Sequence, residues 1–363
     1  MGARPAALRR WAGPLLPPES GVPLPVLHRI RQPQTPAAFA IRRRRSVRRA
    51  PWSPRALATL CAMPRRINYA LDRSDSYQGV QAQLLDLIDA HLPDPKPKRG
   101  DAVEGALNFS LFIRTPSQVL MSHGVADKNY LWSSDAQGKR LANQREHLLV
   151  PGEWLRRRLL ESKAIKLGPE QIHVVGWPRL DGLVDQVPDP SRRRLERKPR
   201  VLWAPTHNRR KRGETGRSTS SFPDFENYLR TLSRFAWVDV SVHPRNRTDR
   251  TPTGASMPRA DIVIADFGTT VYEAWALGKP VIFPRWLLAD RIAEHMPGSA
   301  ESYIFAERIG YHPDSFDEMV DIIRSGPVVT ADVTEFLDDY LAKEYLGRSA
   351  ARIAEVLTSL AAQ

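Results

Sequence analysis

The chain of 363 residues is 42% hydrophobic, which is enough for two domains with buried cores. It contains no run of about 18 apolar residues, so no membrane-spanning helix is expected, and an N-terminus without a continuous apolar core argues against a secretory signal. Cys61 is the only cysteine, which excludes an internal disulfide and a cysteine-based metal site and fits a reducing cytoplasm.

The net charge of +14 is concentrated in one segment. Residues 1–66 contain fourteen arginines, no lysine and a single acid, Glu19, whereas the remaining chain has 40 basic and 39 acidic residues. This Pro- and Arg-rich tail has too little apolar surface to offset its ordering entropy and is predicted to be largely disordered. It is either an arm for an anionic membrane surface or nucleic acid, or an extension without a function, with Met63 as a possible start of the protein. A nucleic-acid-binding protein with a basic arm is the alternative function of another class. The near-neutral body argues against nucleic acid as a partner.

A first α/β domain is predicted over residues 67–190. Apolar residues at helical spacing predict a helix over 76–92, and a second helix begins at Glu153 and is predicted to end at Gly168. The predicted strands are 106–113, 117–124, 146–152 and 171–176. Strands that alternate with helices in this way are typical of parallel βαβ units.

The pattern restarts after a charged junction near residues 185–198. Helices are predicted over 222–235 and 271–278, with Gly278 as the stop signal, and the chain is helical from Phe316 onward. The predicted strands are 200–208, 237–246, 260–266 and 279–283. The fold class is therefore α/β, with two Rossmann-like domains facing a cleft. The second domain spans 198–345, and a last helix spans 346–363.

Polar signatures recur where the predicted strands end. They are His123-Gly124, Gly176-Trp-Pro-Arg179-Leu-Asp181, Ala204-Pro-Thr206, His243-Pro-Arg245 and Asp266-Phe-Gly268-Thr269-Thr270. Each has an ordinary interpretation alone, such as a solvated loop histidine at 123 or a surface ion pair between Arg179 and Asp181. Five in succession point to a ligand site, because parallel sheets bind ligands at the carboxyl ends of their strands.

The last of these signatures indicates a phosphate site. Gly268 permits a tight turn, and Thr269 and Thr270 lie where the next helix begins, so that their hydroxyls and the unpaired backbone N–H groups point outward. Glu273 follows three residues after Thr270, a spacing that is also typical of a capping box without any ligand. The two interpretations are compatible.

The order of these motifs, followed by Lys279-Pro-Val-Ile-Phe283, resembles the CDP-glycerol glycerophosphotransferases, which include the poly(glycerophosphate) polymerases of teichoic acid synthesis and capsule polymerases. The resemblance covers roughly residues 119–285. It implies a GT-B fold whose C-terminal domain binds CDP-glycerol, with His123 as the base. It also implies that His243, Gly268 and Thr269 contact the diphosphate.

This chain departs from that family at three points. Gly268-Thr269 replaces Ser-Ser, the stretch Val-Ala-Asp-Lys-Asn-Tyr after Gly124 replaces Thr-Pro-Leu-Lys, and the first domain is short. The helix that contains Glu273 also resembles that of nucleotide-sugar glycosyltransferases, in which a glutamate holds the ribose hydroxyls. A GT-B glycosyltransferase therefore stays open as the alternative function.

The predicted activity is transfer of glycerol phosphate from CDP-glycerol, or a related nucleotide-activated donor, to a hydroxyl of a cell-surface polymer or its lipid-linked precursor, with release of CMP. The acceptor is a polyol phosphate or a glycan, and the enzyme is expected at the cytoplasmic face of the membrane. No cofactor or metal is expected, because no Asp-x-Asp-like element ends a strand.

His123 and His243 are the predicted catalytic residues. The predicted donor-binding residues are Thr206, Arg245, Asp266, Gly268, Thr269, Thr270 and Glu273. Gly124, Arg179 and Asp181 complete the predicted site.

Overall fold

A computed structural model of the chain describes residues 64–187, 198–208, 219–246, 251–288 and 291–363. The predicted disordered tail therefore lies outside the described residues, except for 64–66, and so does the charged segment 188–197. Residues 62–363 form one compact unit.

The first α/β half is built on a parallel sheet of six strands in the order β2-β1-β3-β4-β5-β6. The strands are β1 Ile67–Ala70, β2 Lys98–Gly100, β3 Leu107–Ser110, β4 Val119–Met121, β5 His147–Val150 and β6 Ile172–Val174. Helices α1 (Asp75–Asp89) and α2 (Glu153–Glu161) belong to this half. Every residue of β3 and β4 is buried, as expected for a sheet covered on both faces.

The second half repeats the design with a parallel sheet of four strands in the order β10-β9-β7-β8. The strands are β7 Arg200–Ala204, β8 Trp237–Val240, β9 Ile262–Ala265 and β10 Val281–Ile282. Its helices are α3 Glu226–Leu232, α4 Thr253–Ser256, α5 Thr269–Ala276, α6 Arg285–Leu288, α7 Arg291–His295, α8 Ala300–Ala306 and α9 Phe316–Arg324. The prediction of two parallel α/β halves is confirmed.

Two C-terminal helices return to the first half. Helix α10 (Ala331–Tyr340) packs on α2 as well as on α5, and α11 (Ser349–Ala361) packs on α1 and β1. The end of α11 is also tied to the start of the described chain, because the Arg65 backbone N–H donates to the Ala361 carbonyl at 2.7 Å. Helix α10 therefore contacts both halves, whereas α11 completes the first half.

The prediction that the helix from Glu153 continues to Gly168 is wrong. Helix α2 ends at Glu161, and Ser162 adopts an extended conformation. The segment that follows is held by the Asn143 side chain, which donates to the Ala164 carbonyl and accepts from the Lys166 N–H. This extended path buries Ile165 in the core, and that tertiary packing overrides the helical spacing.

The carboxyl ends of both sheets open onto the same cleft. The loops that follow β4, β6, β7, β8 and β9 carry all five of the polar signatures, and residues from each loop line the cleft. In the part of the chain that the structure describes, no helix is both long and apolar enough to cross a bilayer.

Candidate active site

The cleft between the two halves has a volume of about 260 Å³. Eight of the twelve predicted site residues line it, three from the first half and five from the second. They are His123, Gly124, Arg179, Thr206, His243, Arg245, Thr269 and Thr270. The structure thus brings together residues that are up to 147 positions apart in the sequence, as the strand-end signatures predict.

The ring of His123 is held by aromatic contacts at the end of β4. It stacks on Phe112 with ring centroids 4.4 Å apart, and the Tyr130 ring meets it edge-on at 5.3 Å. Burial, together with the positive charge of Lys128, lowers the pKa of His123 to about 4, although a hydrogen bond to the Leu111 carbonyl acts in the opposite direction. The imidazole is therefore neutral at pH 7 and able to accept a proton.

Two glycines allow the halves to approach closely. A Cβ at Gly124 would lie only 2.6 Å from the Thr269 hydroxyl oxygen, so a side chain there would force the Thr269 side chain to move. Gly268 has φ of +102°, and a Cβ on it would lie 2.8 Å from the Lys128 Nζ. The first turn of α5 can therefore face the His123 loop directly.

The orientation of His243 is set by its own loop. Its Nδ1 accepts a hydrogen bond from the Arg245 backbone N–H at 3.1 Å, and its ring lies 5.0 Å from that of His207. With Nδ1 acting as an acceptor, the neutral ring carries its proton on Nε2. His243 is therefore a hydrogen-bond donor through Nε2.

Glu273, a predicted donor-binding residue, is not among the residues that line the cleft. It is fully buried in α5, where its carboxylate accepts from the Trp177 indole N–H at 2.7 Å and pairs with the Arg179 guanidinium at 2.9 Å. Burial raises the pKa of Glu273, and Arg179 opposes that rise. The capping box is also absent, because α5 begins at Thr269 with Gly268 as its N-cap. Glu273 fixes Arg179, and Arg179 enters the cleft.

Asp181 and Asp266 are also structural. Asp181 does not pair with Arg179 but accepts from the backbone N–H groups of Ser349 and Ala350, where it caps α11. Asp266 is fully buried, and its Oδ2 accepts from the Thr206 backbone N–H at 2.9 Å. Burial raises the pKa of Asp266 to about 6, and nearby serine hydroxyls oppose this. Neither carboxylate is among the residues that line the cleft.

Sequence reasoning missed Lys128 and Tyr130, which also line the cleft. The Lys128 Nζ lies 4.9 Å from the centre of the Phe267 ring, directly before α5. One signal was available: Lys128 stands at the position of the lysine in the Thr-Pro-Leu-Lys stretch of the resembled family. The Tyr130 hydroxyl accepts from the Ile113 N–H at 2.7 Å.

The electrostatic character of the cleft is positive. Lys128, Arg179 and Arg245 enter it together with the N-terminus of α5, whereas no carboxylate is among its described lining residues. Such a surface is suited to phosphate groups. Within the described ranges, no group of three or more His, Cys, Asp or Glu side chains is placed to hold a metal ion.

The fold is similar to that of the wall teichoic acid polymerase TagF. The match has a TM-score of 0.53 at 12% identity and covers 82% of this chain and 89% of that structure. Two histidine-substituted variants of TagF match the same 82% of this chain. One has a TM-score of 0.53 at 13% identity over 89% of that structure, and the other has a TM-score of 0.52 at 12% identity over 90% of that structure. No protein-family model and no curated protein sequence matches the chain. The comparison confirms the predicted GT-B arrangement.

Proposed function

We propose that the protein transfers glycerol phosphate from CDP-glycerol to a hydroxyl of a cell-surface polymer or its lipid-linked precursor and releases CMP. The observation that carries this proposal is the meeting of a neutral histidine, His123, with a positive cleft that contains no carboxylate among its described lining residues. The order of the strand-end motifs and the fold shared with a wall teichoic acid polymerase support it.

The second half supplies the phosphate-binding groups. Thr269 and Thr270 line the cleft at the N-terminus of α5, where their hydroxyls and the first amides of the helix can donate to the diphosphate. Arg245 adds a charge, and the Nε2–H of His243 adds a further donor. These groups hold the leaving CMP and stabilise the negative charge that develops on it.

His123 acts as the base from the opposite wall. An acceptor hydroxyl has a pKa far above neutrality, so a proton must leave as its oxygen attacks phosphorus. The new bond joins the acceptor oxygen to the phosphorus of glycerol phosphate. The bond from that phosphorus to the oxygen shared with CMP breaks, CMP leaves with the electron pair, and the proton passes to His123. The charges of bound phosphates oppose those of Lys128 and Arg245, which raises the basicity of His123 when donor is present.

The nucleotide released distinguishes this activity from its alternative. We expect labelled CDP-glycerol, incubated with the protein and a polyol-phosphate acceptor, to yield CMP, with no release from a panel of nucleotide sugars. A GT-B glycosyltransferase would instead release a nucleoside diphosphate from one of those sugars. The buried position of Glu273 weighs against that alternative, because this carboxylate is not open to ribose hydroxyls. Release of a nucleoside diphosphate would overturn the proposal.

We further propose that residues 1–62 attach the enzyme to the inner face of the membrane. Each arginine close to an anionic leaflet contributes about 1 kcal/mol, and salt screens the attraction. The full-length protein should sediment with anionic liposomes at low salt and be released at about 0.5 M salt. A variant without residues 1–62 retains the compact unit and should stay in solution. Equal sedimentation of that variant would show that the folded body is the anchor.

A further inference from the structure

Lys128 occupies an electrostatically unusual position. Its ammonium group lies at the N-terminal end of α5, since a Cβ on the N-cap Gly268 would be 2.8 Å from its Nζ. The N-terminus of a helix carries a partial positive charge, which repels a cation. Arg179 and Arg245 enter the same cleft. An anion bound in the cleft beside Lys128 would be attracted by these charges and by the N-terminus of α5.

The backbone that carries Lys128 is in an uncommon conformation. Lys128 and Asn129 have φ values of +46° and +54°, in the left-handed region that non-glycine residues seldom occupy. Asparagine tolerates this region, but consecutive left-handed residues need support from their surroundings. The two residues are the start of the turn that leads to Tyr130.

Two buried carboxylates supply that support. Glu301 of α8 accepts from the Lys128 backbone N–H at 2.7 Å through Oε2 and from the Tyr272 hydroxyl at 2.8 Å through Oε1. Asp127 accepts from the Asn129 backbone N–H at 3.2 Å and from the Ala300 N–H at 3.1 Å. Both carboxylates are almost fully buried. They belong to opposite halves, so the turn is fixed across the cleft.

An arginine completes the arrangement. Arg158 of α2 pairs with Asp127 at 2.5 Å and donates to the Asn129 side-chain oxygen at 2.6 Å. Burial raises the pKa of Asp127, and the Arg158 charge opposes this rise. The Asn129 amide also donates to the Pro297 carbonyl, which ties the turn to the second half again. Hydrogen bonds to the main chain and side chain of this turn thus come from α2 and from the segment 297–301.

We propose that Lys128 binds the donor phosphates and that Glu301 and Asp127 are positioning residues, which act on the donor only by holding the Lys128–Asn129 turn. This inference rests on the proposed function in one respect, namely that the ligand carries a diphosphate. The two carboxylates are buried and do not contact the donor, so they affect donor binding only through the position of this turn.

The test measures binding of CDP, inorganic pyrophosphate and cytidine by calorimetry. Lys128→Met should weaken CDP and pyrophosphate by about 10- to 100-fold, the usual range for a hydrogen bond to a charged group, and leave cytidine unchanged. Glu301→Met should give the same pattern. The double variant should be no weaker than either single variant, because Glu301 acts through Lys128. Additive losses, or an equal loss of cytidine binding, would overturn the positioning role.

Matched variants separate this effect from damage to the fold. Lys139→Met removes an exposed lysine of the same half, and Glu307→Met alters an exposed glutamate at the end of α8; neither should change binding. Glu301→Gln keeps an acceptor for the Lys128 N–H and should restore most of the affinity. If Glu301→Met does not fold, Asp127→Asn replaces it in the comparison with Lys128→Met. Asp127 accepts hydrogen bonds through both of its oxygens, whereas the asparagine amide has only one oxygen that can accept.

The outcomes distinguish this inference from the proposed function. If the wild-type protein releases CMP from CDP-glycerol and Lys128→Met binds CDP normally, only this inference fails. If Lys128-dependent binding of CDP is found without release of CMP from CDP-glycerol, only the proposed function fails. If the wild-type protein binds neither CDP nor pyrophosphate, both are overturned.

Discussion

The surface of the cleft and the layer directly behind it carry opposite charges. The surface presents Lys128, Arg179 and Arg245, whereas the layer behind it contains Asp127, Asp266, Glu273 and Glu301, all almost fully buried. Glu301 and Asp266 accept hydrogen bonds from the backbone of Lys128 and Thr206, which line the cleft. Glu273 pairs with the Arg179 guanidinium, and Asp127 accepts from Asn129, the residue after Lys128. The acids of this site therefore support the residues of the cleft surface, whereas the cations and histidines are positioned to contact the ligand.

Removing a group from the cleft surface should abolish catalysis with little effect on stability, and this is the largest effect that we expect. His123→Ala should lower kcat by roughly two to four orders of magnitude, the usual scale for a general base, while CDP binding stays similar. Steady-state kinetics and calorimetry measure the two quantities. Near-normal turnover would show that His123 is not the base.

Removing a group from the layer behind should instead lower stability. Glu273→Gln leaves the Arg179 guanidinium without its buried counter-ion, and breaking a buried pair costs about 3 kcal/mol of unfolding free energy. Urea denaturation measures the loss. Glu355→Gln is the matched control, because it breaks the exposed pair with Arg352, which is worth less than about 1 kcal/mol. Equal losses of unfolding free energy for the two substitutions would contradict a stabilising role for the buried carboxylates.

The smallest effect concerns pH. Burial and the charge of Lys128 lower the pKa of His123 to about 4, so the free enzyme loses its base only as the pH falls through that value. The acid limb of kcat/KM should lie well below 6.5, the ordinary pKa of histidine. Lys128→Met removes one cause of the lowered pKa and should move the limb to higher pH. A limb at 6.5, unmoved by the substitution, would contradict this account.

The sequence predicts the cleft surface far better than the layer behind it. Strand-end positions could be recognised because parallel strands deliver their carboxyl ends to one edge, and this placed His123 and Thr269 correctly. The role of Glu273 could not be recognised, because its partner Trp177 lies 96 residues away and the spacing to Thr270 mimics a capping box. Lys128 was missed for a similar reason: its place in the cleft depends on a left-handed turn held by Glu301, 173 residues further along the chain.

The same limit applies to secondary structure. Eight of the ten described strands follow from short apolar runs bounded by turn residues, whereas β1 and β2 were not predicted, and β2 (Lys98–Gly100) lies in a polar segment. The end of α2 does not, because the helical spacing continues beyond Glu161 and only the tertiary contacts of Asn143 and Ile165 stop the helix. Local patterns therefore predict elements well where burial and propensity agree, and poorly where a distant side chain decides.

A crystal structure of the protein with bound CDP tests the central claim most directly. We expect the nucleotide to lie in the second half, with a phosphate oxygen within hydrogen-bonding distance of the Thr269 hydroxyl or the first amides of α5, and with the terminal phosphate facing His123 across the cleft. Density for the nucleotide in the first half, away from α5, would contradict the account.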